Sequence, residues 1–280
     1  MGVSNSFKII DDRFSIDKIE NYDVLMEIQQ TRFKFILRDI HTKTVIWLED
    51  YYLGPSTSHA TFLENLKEII DEHEFIKANF WNNIAVTVDF PCFAAIPNDL
   101  FDENLIDRYL KLQNPDITPS DYELETIKLS ANTHIFLIPK TIRALLNGFY
   151  PNKILQITNS FANSIRYFQS HERIQNKNLL LFSDEWLEAI FIEQKSGYLR
   201  TEKIALSSRS IKDFMGEIEG KGQLKTLIFG EITPYSPNYR MVKSRLKALE
   251  FGGIPRNCTL SQFFSEIPEQ RYFSILNVDF

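Results

Sequence analysis

The sequence predicts an α/β fold made of two similar halves, each reading strand-strand-strand-helix-strand. Two observations predict it. An alternating extended meander followed by a helix and a further strand begins near residue 22, and the same order begins again near residue 178. The composition also suits two packed units. Of 280 residues, 44% are hydrophobic and 13% aromatic, enough to fill more than one core.

In the first half, residues 1–13 read as a mobile N-terminal arm, and the half itself as residues 14–170. Tyr22–Ile28, Arg32–Arg38 and Val45–Tyr51 are the three meander strands, with Phe33, Phe35 and Leu37 at period two. A Gly54-Pro55-Ser56 break follows. The next helix starts near Thr61, with Glu64 as its capping-box partner and Phe62, Leu66, Ile69 and Ile70 as its apolar stripe. Ile84–Val88 and Cys92–Ile96 read as strands, and a helical stretch starts at Pro97-Asn98-Asp99. After a loop over Pro115–Pro119 come strand His134–Ile138, helix Thr141–Asn147, strand Ile154–Ile157 and helix Phe161–Phe168.

The second half spans residues 176–280. Asn178–Phe182, Leu187–Gln194 and Tyr198–Leu206 form its meander, and a helix starting at Ser210 ends at Gly220-Lys221-Gly222. Strand Leu224–Phe229, a helix from Pro237 to Glu250 ended by Gly252-Gly253, and a closing strand Tyr272–Val278 complete it. The C-terminal aromatics Phe263, Phe264, Tyr272, Phe273 and Phe280 suit core packing first and a docking edge second.

Several function classes are disfavoured. A net charge of −6 argues against a whole-protein nucleic-acid binder. Two cysteines, Cys92 and Cys258, cannot make a disulfide scaffold. The sequence has no apolar run of about 18 residues and no apolar leader, so a cytoplasmic location is expected. His41, His59, His73, His134 and His171 show no metal-ligand spacing, and no metal is expected. Gly220-Lys221-Gly222 lacks the remaining residues of a phosphate loop.

A three-strand meander followed by helix and strand resembles the ribonuclease-H-like unit, and two such units resemble the actin-like architecture. The order of elements is similar to that of small bacterial actin-like proteins of pilus assembly and cell division. The segments Phe93–Phe101, Ile138-Pro139-Lys140, Phe149–Asn152 and Arg271–Asn277 resemble the Bacteroidetes domain-of-unknown-function family 3822 over most of the chain. That resemblance implies the fold and assigns no reaction. The actin-like resemblance implies a nucleotide in the cleft between the halves, held by turns rich in Asp and Gly.

The candidate positions here are Asp184, Gly230, Glu231 and Thr233, in the inter-half cleft. The segments around them depart from the implied pattern, the one holding Gly230 least. The first turn, Glu27–Thr31, has neither Asp nor Gly; the second, Phe182–Trp186, has Asp184 without Gly and carries the bulky Trp186. Leu227–Thr233 resembles the adenosine motif, but Glu231 stands where a second glycine would admit the base. ATP with Mg²⁺ is therefore disfavoured, and no cofactor is expected. The expected function is a non-catalytic protein-interaction or scaffold protein with a protein partner. One alternative is an ATP-binding switch. Another is a metal-dependent nuclease drawing one carboxylate from Glu27 and another from Asp89 or Asp184. The helix after Pro237 carries Arg240, Lys243, Arg245 and Lys247, a basic face that suits solvent first and RNA, acidic lipid or an acidic partner second.

Overall fold

A computed structural model of the chain describes residues 4–54, 58–90, 93–192, 199–218, 224–246 and 248–278. Cys92, Lys247, Phe280, the Pro55-Ser56 part of the expected break and the Gly220–Gly222 turn lie outside the described residues.

The elements run β1 (Ser4–Ile10), β2 (Tyr22–Ile28), β3 (Arg32–Asp39), β4 (Thr44–Tyr52), α1 (His59–Glu72), β5 (Ile84–Val88) and β6 (Phe93–Pro97). Next are α2 (Ile106–Gln113), β7 (Tyr122–Lys128), β8 (Asn132–Pro139), α3 (Lys140–Phe149), β9 (Leu155–Asn159) and α4 (Ser160–Ser170). The second half adds β10 (Asn178–Phe182), β11 (Trp186–Ile192), β12 (Leu199–Ala205), α5 (Ser208–Ile218), β13 (Thr226–Gly230), α6 (Pro237–Arg245), β14 (Leu249–Phe251), β15 (Thr259–Leu260) and α7 (Phe273–Leu276).

The doubling foreseen in the sequence is visible in the strand order. The first sheet contains β4-β3-β2-β5-β9 and the second is β12-β11-β10-β13-β14. In both, the first meander strand is central, antiparallel to the second and parallel to the strand after the helix: β2 pairs β5, and β10 pairs β13. A smaller sheet, β6-β8-β7, is inserted between β5 and α3.

Period-two alternation assigns each face of the first sheet. Val24, Met26, Phe33, Phe35 and Leu37 pack against Phe62, Leu66 and Ile70 of α1 and Ile142 and Leu146 of α3. Leu25, Ile36, Leu48 and Ala85 point the other way and meet Phe264, Tyr272, Ile275, Leu276 and Val278. The chain therefore returns from the second half to cover the first sheet. Burying such side chains is worth about 1.5–3 kcal/mol each.

Local expectations change at several places. The N-terminal arm contains an edge strand, β1, paired antiparallel with β4, because Phe7 and Ile9 alternate inward onto the core. The closing segment is helical where a strand was expected, since Tyr272, Phe273, Ile275 and Leu276 bury against several surfaces at once. Among the C-terminal aromatics, Phe264, Tyr272 and Phe273 are core, while Phe263 is exposed. Ser58 caps α1, its hydroxyl accepting from Thr61 N–H at 3.2 Å, so the helix begins before Thr61. Helix α6 stops at Arg245, and Leu249–Phe251 becomes a strand parallel to β13. Strand β7 was not foreseen; its alternation is muted because Glu123 and Glu125 form ion pairs at the surface with Arg143 and Arg166.

Candidate functional site

The two meander turns face each other across the junction of the halves. Arg32, at the start of β3, donates from Nε to Asp184 Oδ2 at 2.6 Å, and Thr31 Oγ1 donates to the same oxygen at 3.1 Å. Asp184 thus holds the first turn with its carboxylate.

Behind this contact lies a row of charges set by strand periodicity. The face of the first sheet that carries Leu25, Ile36 and Leu48 continues at the cleft end as Glu27, Lys34 and Asp50. Glu27 is the register partner of Lys34, and Lys34 that of Asp50. Lys34 Nζ lies 2.8 Å from Glu27 Oε2 and 2.8 Å from Glu231 Oε1. Arg271, delivered by the returning C-terminal segment, reaches Asp50 Oδ2 and Glu231 Oε2, each at 2.8 Å. Arg32 also contacts Asp50 at 3.1 Å. Burial alone would push the Lys34 ammonium down, but Glu231 and Glu27 outweigh it and hold it well above the usual lysine range. Glu231, also buried, is held below the usual carboxylate range by Lys34 and Arg271.

A second bridge lies alongside. Lys203 of β12 places Nζ 2.6 Å from both Asp89 Oδ1 and Glu188 Oε1. Burial, with Asp89 adding to it, pushes Glu188 up to about 7 against the pull of Lys203. Two lysine ammonium groups therefore each sit between two carboxylates.

Gly230 explains why β13 can end here. Its φ is +89°, and an added Cβ would lie 1.9 Å from the Phe182 carbonyl oxygen. The next residue, Glu231, donates its N–H to that oxygen at 2.6 Å. The glycine is required by the close approach of β13 to β10. Thr233 is exposed in the turn before α6, where its carbonyl accepts from Ser236 N–H at 3.1 Å and Ser236 Oγ at 2.9 Å. Of the four candidate positions, Asp184, Gly230 and Glu231 thus stand at the junction and Thr233 does not contribute. Among the described residues, Lys34, Glu27 and Arg271 line a cavity of about 30 Å³ at the junction that Trp186 does not line, room for one or two waters.

Each of the nuclease carboxylates faces a cation. Glu27 is spent on Lys34, Asp89 on Lys203 and Asp184 on Arg32. Histidines also have structural partners. His73 accepts N–H from Phe75 and Ile76 at Nδ1, so Nε2 carries the proton donated to Glu49, 3.1 Å away. His134 is buried against Phe93 and Phe136 and bonds Thr201 Oγ1 at 2.6 Å, joining the inserted sheet to β12. The basic residues Arg240, Lys243 and Arg245 of α6 are exposed, while Val242 anchors the helix.

Sequence reasoning missed Lys34, Asp50, Lys203 and Arg271. The available signal was a lone charge at an inward position of a strongly apolar strand, as in Arg32-Phe33-Lys34-Phe35-Ile36-Leu37.

Paired halves of this order, with the junction of the two meander turns between them, define an actin-like fold. A structure from Bacteroides thetaiotaomicron, described as having an actin-like ATPase fold and unknown function, superposes with a TM-score of 0.69 at 14% identity, covering 95% of this chain and 99% of that one. A type IV pilus biogenesis complex, PilM–PilN, contains a chain that superposes with a TM-score of 0.59 at 9% identity, covering 91% of this chain and 96% of that chain. The sequence matches the model of DUF3822, a family of proteins of unknown function, over residues 11–199. The chain belongs to that family. No curated protein matches it. Among the described residues, no helix is long and apolar enough to cross a membrane.

Proposed function

We infer that this chain is a non-catalytic protein that works by binding another protein, as an interaction or scaffold component in the cytoplasm. One observation carries the reading: Lys34, fully buried between Glu27 and Glu231, occupies the junction where an actin-like protein would take its nucleotide. Admitting a triphosphate would mean separating desolvated ion pairs, and removing one partner of such a pair costs about 3–5 kcal/mol. The phosphate would also meet Glu27, Glu231 and Asp184, three carboxylates that repel it once their cations are displaced. The likeness to PilM supports the binding half of the reading, because that protein is found in a complex with PilN.

The test is co-purification of the tagged full chain from its native cells. The reading expects one protein recovered in fixed ratio, equally with and without Mg·ATP. Recovery that depends on Mg·ATP, or hydrolysis of ATP by the purified chain, would contradict it.

A further inference from the structure

The two halves treat equivalent sheet edges differently. Strand β4 ends the first meander, and its outer edge is covered: β1 pairs with it antiparallel and β15 parallel. Strand β12 holds the same place in the second half. Among the described residues it pairs with β11 alone.

The main chain of β12 alternates between its two sides. Leu206 donates its N–H to the Glu185 carbonyl at 2.7 Å, continuing the register of β12 on β11. In an antiparallel ladder a residue turns its N–H and C=O to one side, and the next residue turns them to the other. Ile204, Glu202 and Arg200 therefore face β11, while Lys203, Thr201 and Leu199 face outward. The Lys203 side chain is only 2% exposed, yet the residue as a whole is half-buried, so what it exposes is main chain.

An uncovered edge is a template for another strand, and proteins usually guard one with a proline, a bulge or a solvated lysine. Leu199–Ala205 has no proline, and its register with β11 has no bulge. Its lysine is turned inward, onto Asp89 and Glu188.

The charges on this edge select the strand that fits. Arg200 and Glu202 lie on one face of β12, with side chains 40% and 35% exposed. Residues directly opposite each other across an antiparallel pair interact, opposite charges favourably and like charges unfavourably. If β12 meets its own copy on a two-fold axis at Thr201, Arg200 of each chain lies opposite Glu202 of the other. An axis at Arg200, Glu202 or Lys203 instead sets that residue against itself. The run Arg200-Thr201-Glu202 is thus complementary to its own reverse.

We propose that a second copy of this chain adds its β12 antiparallel to this one, on a two-fold axis at Thr201. The main chains of the two Thr201 residues exchange hydrogen bonds, as do Lys203 of each chain and Leu199 of the other. Two Arg200–Glu202 pairs flank the axis, and the two five-stranded sheets become one continuous sheet. The proposal depends neither on the ion pairs at the junction nor on a different protein partner.

The test is sedimentation equilibrium of the full chain from about 1 to 100 µM, where a monomer–dimer equilibrium is expected. Arg200→Glu and Glu202→Arg each set like charges against each other on both sides of the axis. Each variant alone should dimerise about tenfold or more weakly than the parent. Mixed one to one, the two variants oppose glutamate to arginine at every crossing, and a heterodimer should form. Arg200→Glu combined with Glu202→Arg in one chain should dimerise like the parent. A parent that stays monomeric over the whole range would overturn the proposal. Single variants that dimerise as well as the parent would overturn it too, as would failure of both the mixture and the double swap to restore the dimer.

Discussion

Lys34 and Glu231 meet at 2.8 Å across the two halves, one from the middle of a buried strand and the other from the position after Gly230. This pair places a buried ion pair at the junction of the halves. Replacing Lys34 by Met should destabilise the fold by about 3–5 kcal/mol, because Glu27 and Glu231 would be left buried and uncompensated. Urea unfolding checks this. Lys34→Met combined with Glu27→Gln and Glu231→Gln should recover part of the loss, and an additive triple variant would argue against coupling.

Gly230 carries a different constraint. Gly230→Ala should cost at least about 2 kcal/mol, from a left-handed φ and from contact with the Phe182 carbonyl. Chemical denaturation would read it. A neutral Gly230→Ala variant would mean that β13 and β10 are further apart than described.

Glu188 makes stability depend on pH. A free glutamate titrates near 4.5, and burial pushes Glu188 to about 7. Between those values the folded state keeps a proton that the unfolded chain has lost. The contribution of this group to stability is full below about 4.5 and is lost as pH rises to about 7. Glu188→Gln lacks this dependence, so its stability relative to the parent should rise from pH 5 to pH 7. A constant difference would refute the assignment.

The C-terminal segment should matter more than its position suggests. Ile275 is fully buried on the first sheet. Ile275→Ala should cost about 2–5 kcal/mol, read as a lower midpoint in urea. A surface-like cost of a few tenths would show that the segment is not seated.

Much of the fold was legible from pattern alone. Tyr22–Ile28, Ile84–Val88 and Asn178–Phe182 match the observed strands because buried central strands carry dense apolar runs with clear ends. Edges and ends were less legible. β1 and β7 are half-exposed, so their alternation is diluted by polar residues. Tyr272–Val278 is rich in strand-forming types, yet its burial against the first sheet imposes a helical turn. For the site, the missing glycines were visible, and Glu231 was read as a residue that would crowd a nucleotide; the structure pairs it with Lys34 and Arg271. Its partner was not visible, because no local signal links Lys34 to a residue almost two hundred positions away.

The most direct measurement is thermal unfolding of the purified chain with and without millimolar Mg·ATP. If Lys34, Glu27 and Glu231 fill the junction, the unfolding midpoint does not move. A bound nucleotide would add about 2.7 kcal/mol at a hundredfold excess over its dissociation constant. A midpoint raised by that amount would contradict the account and make the junction a nucleotide site.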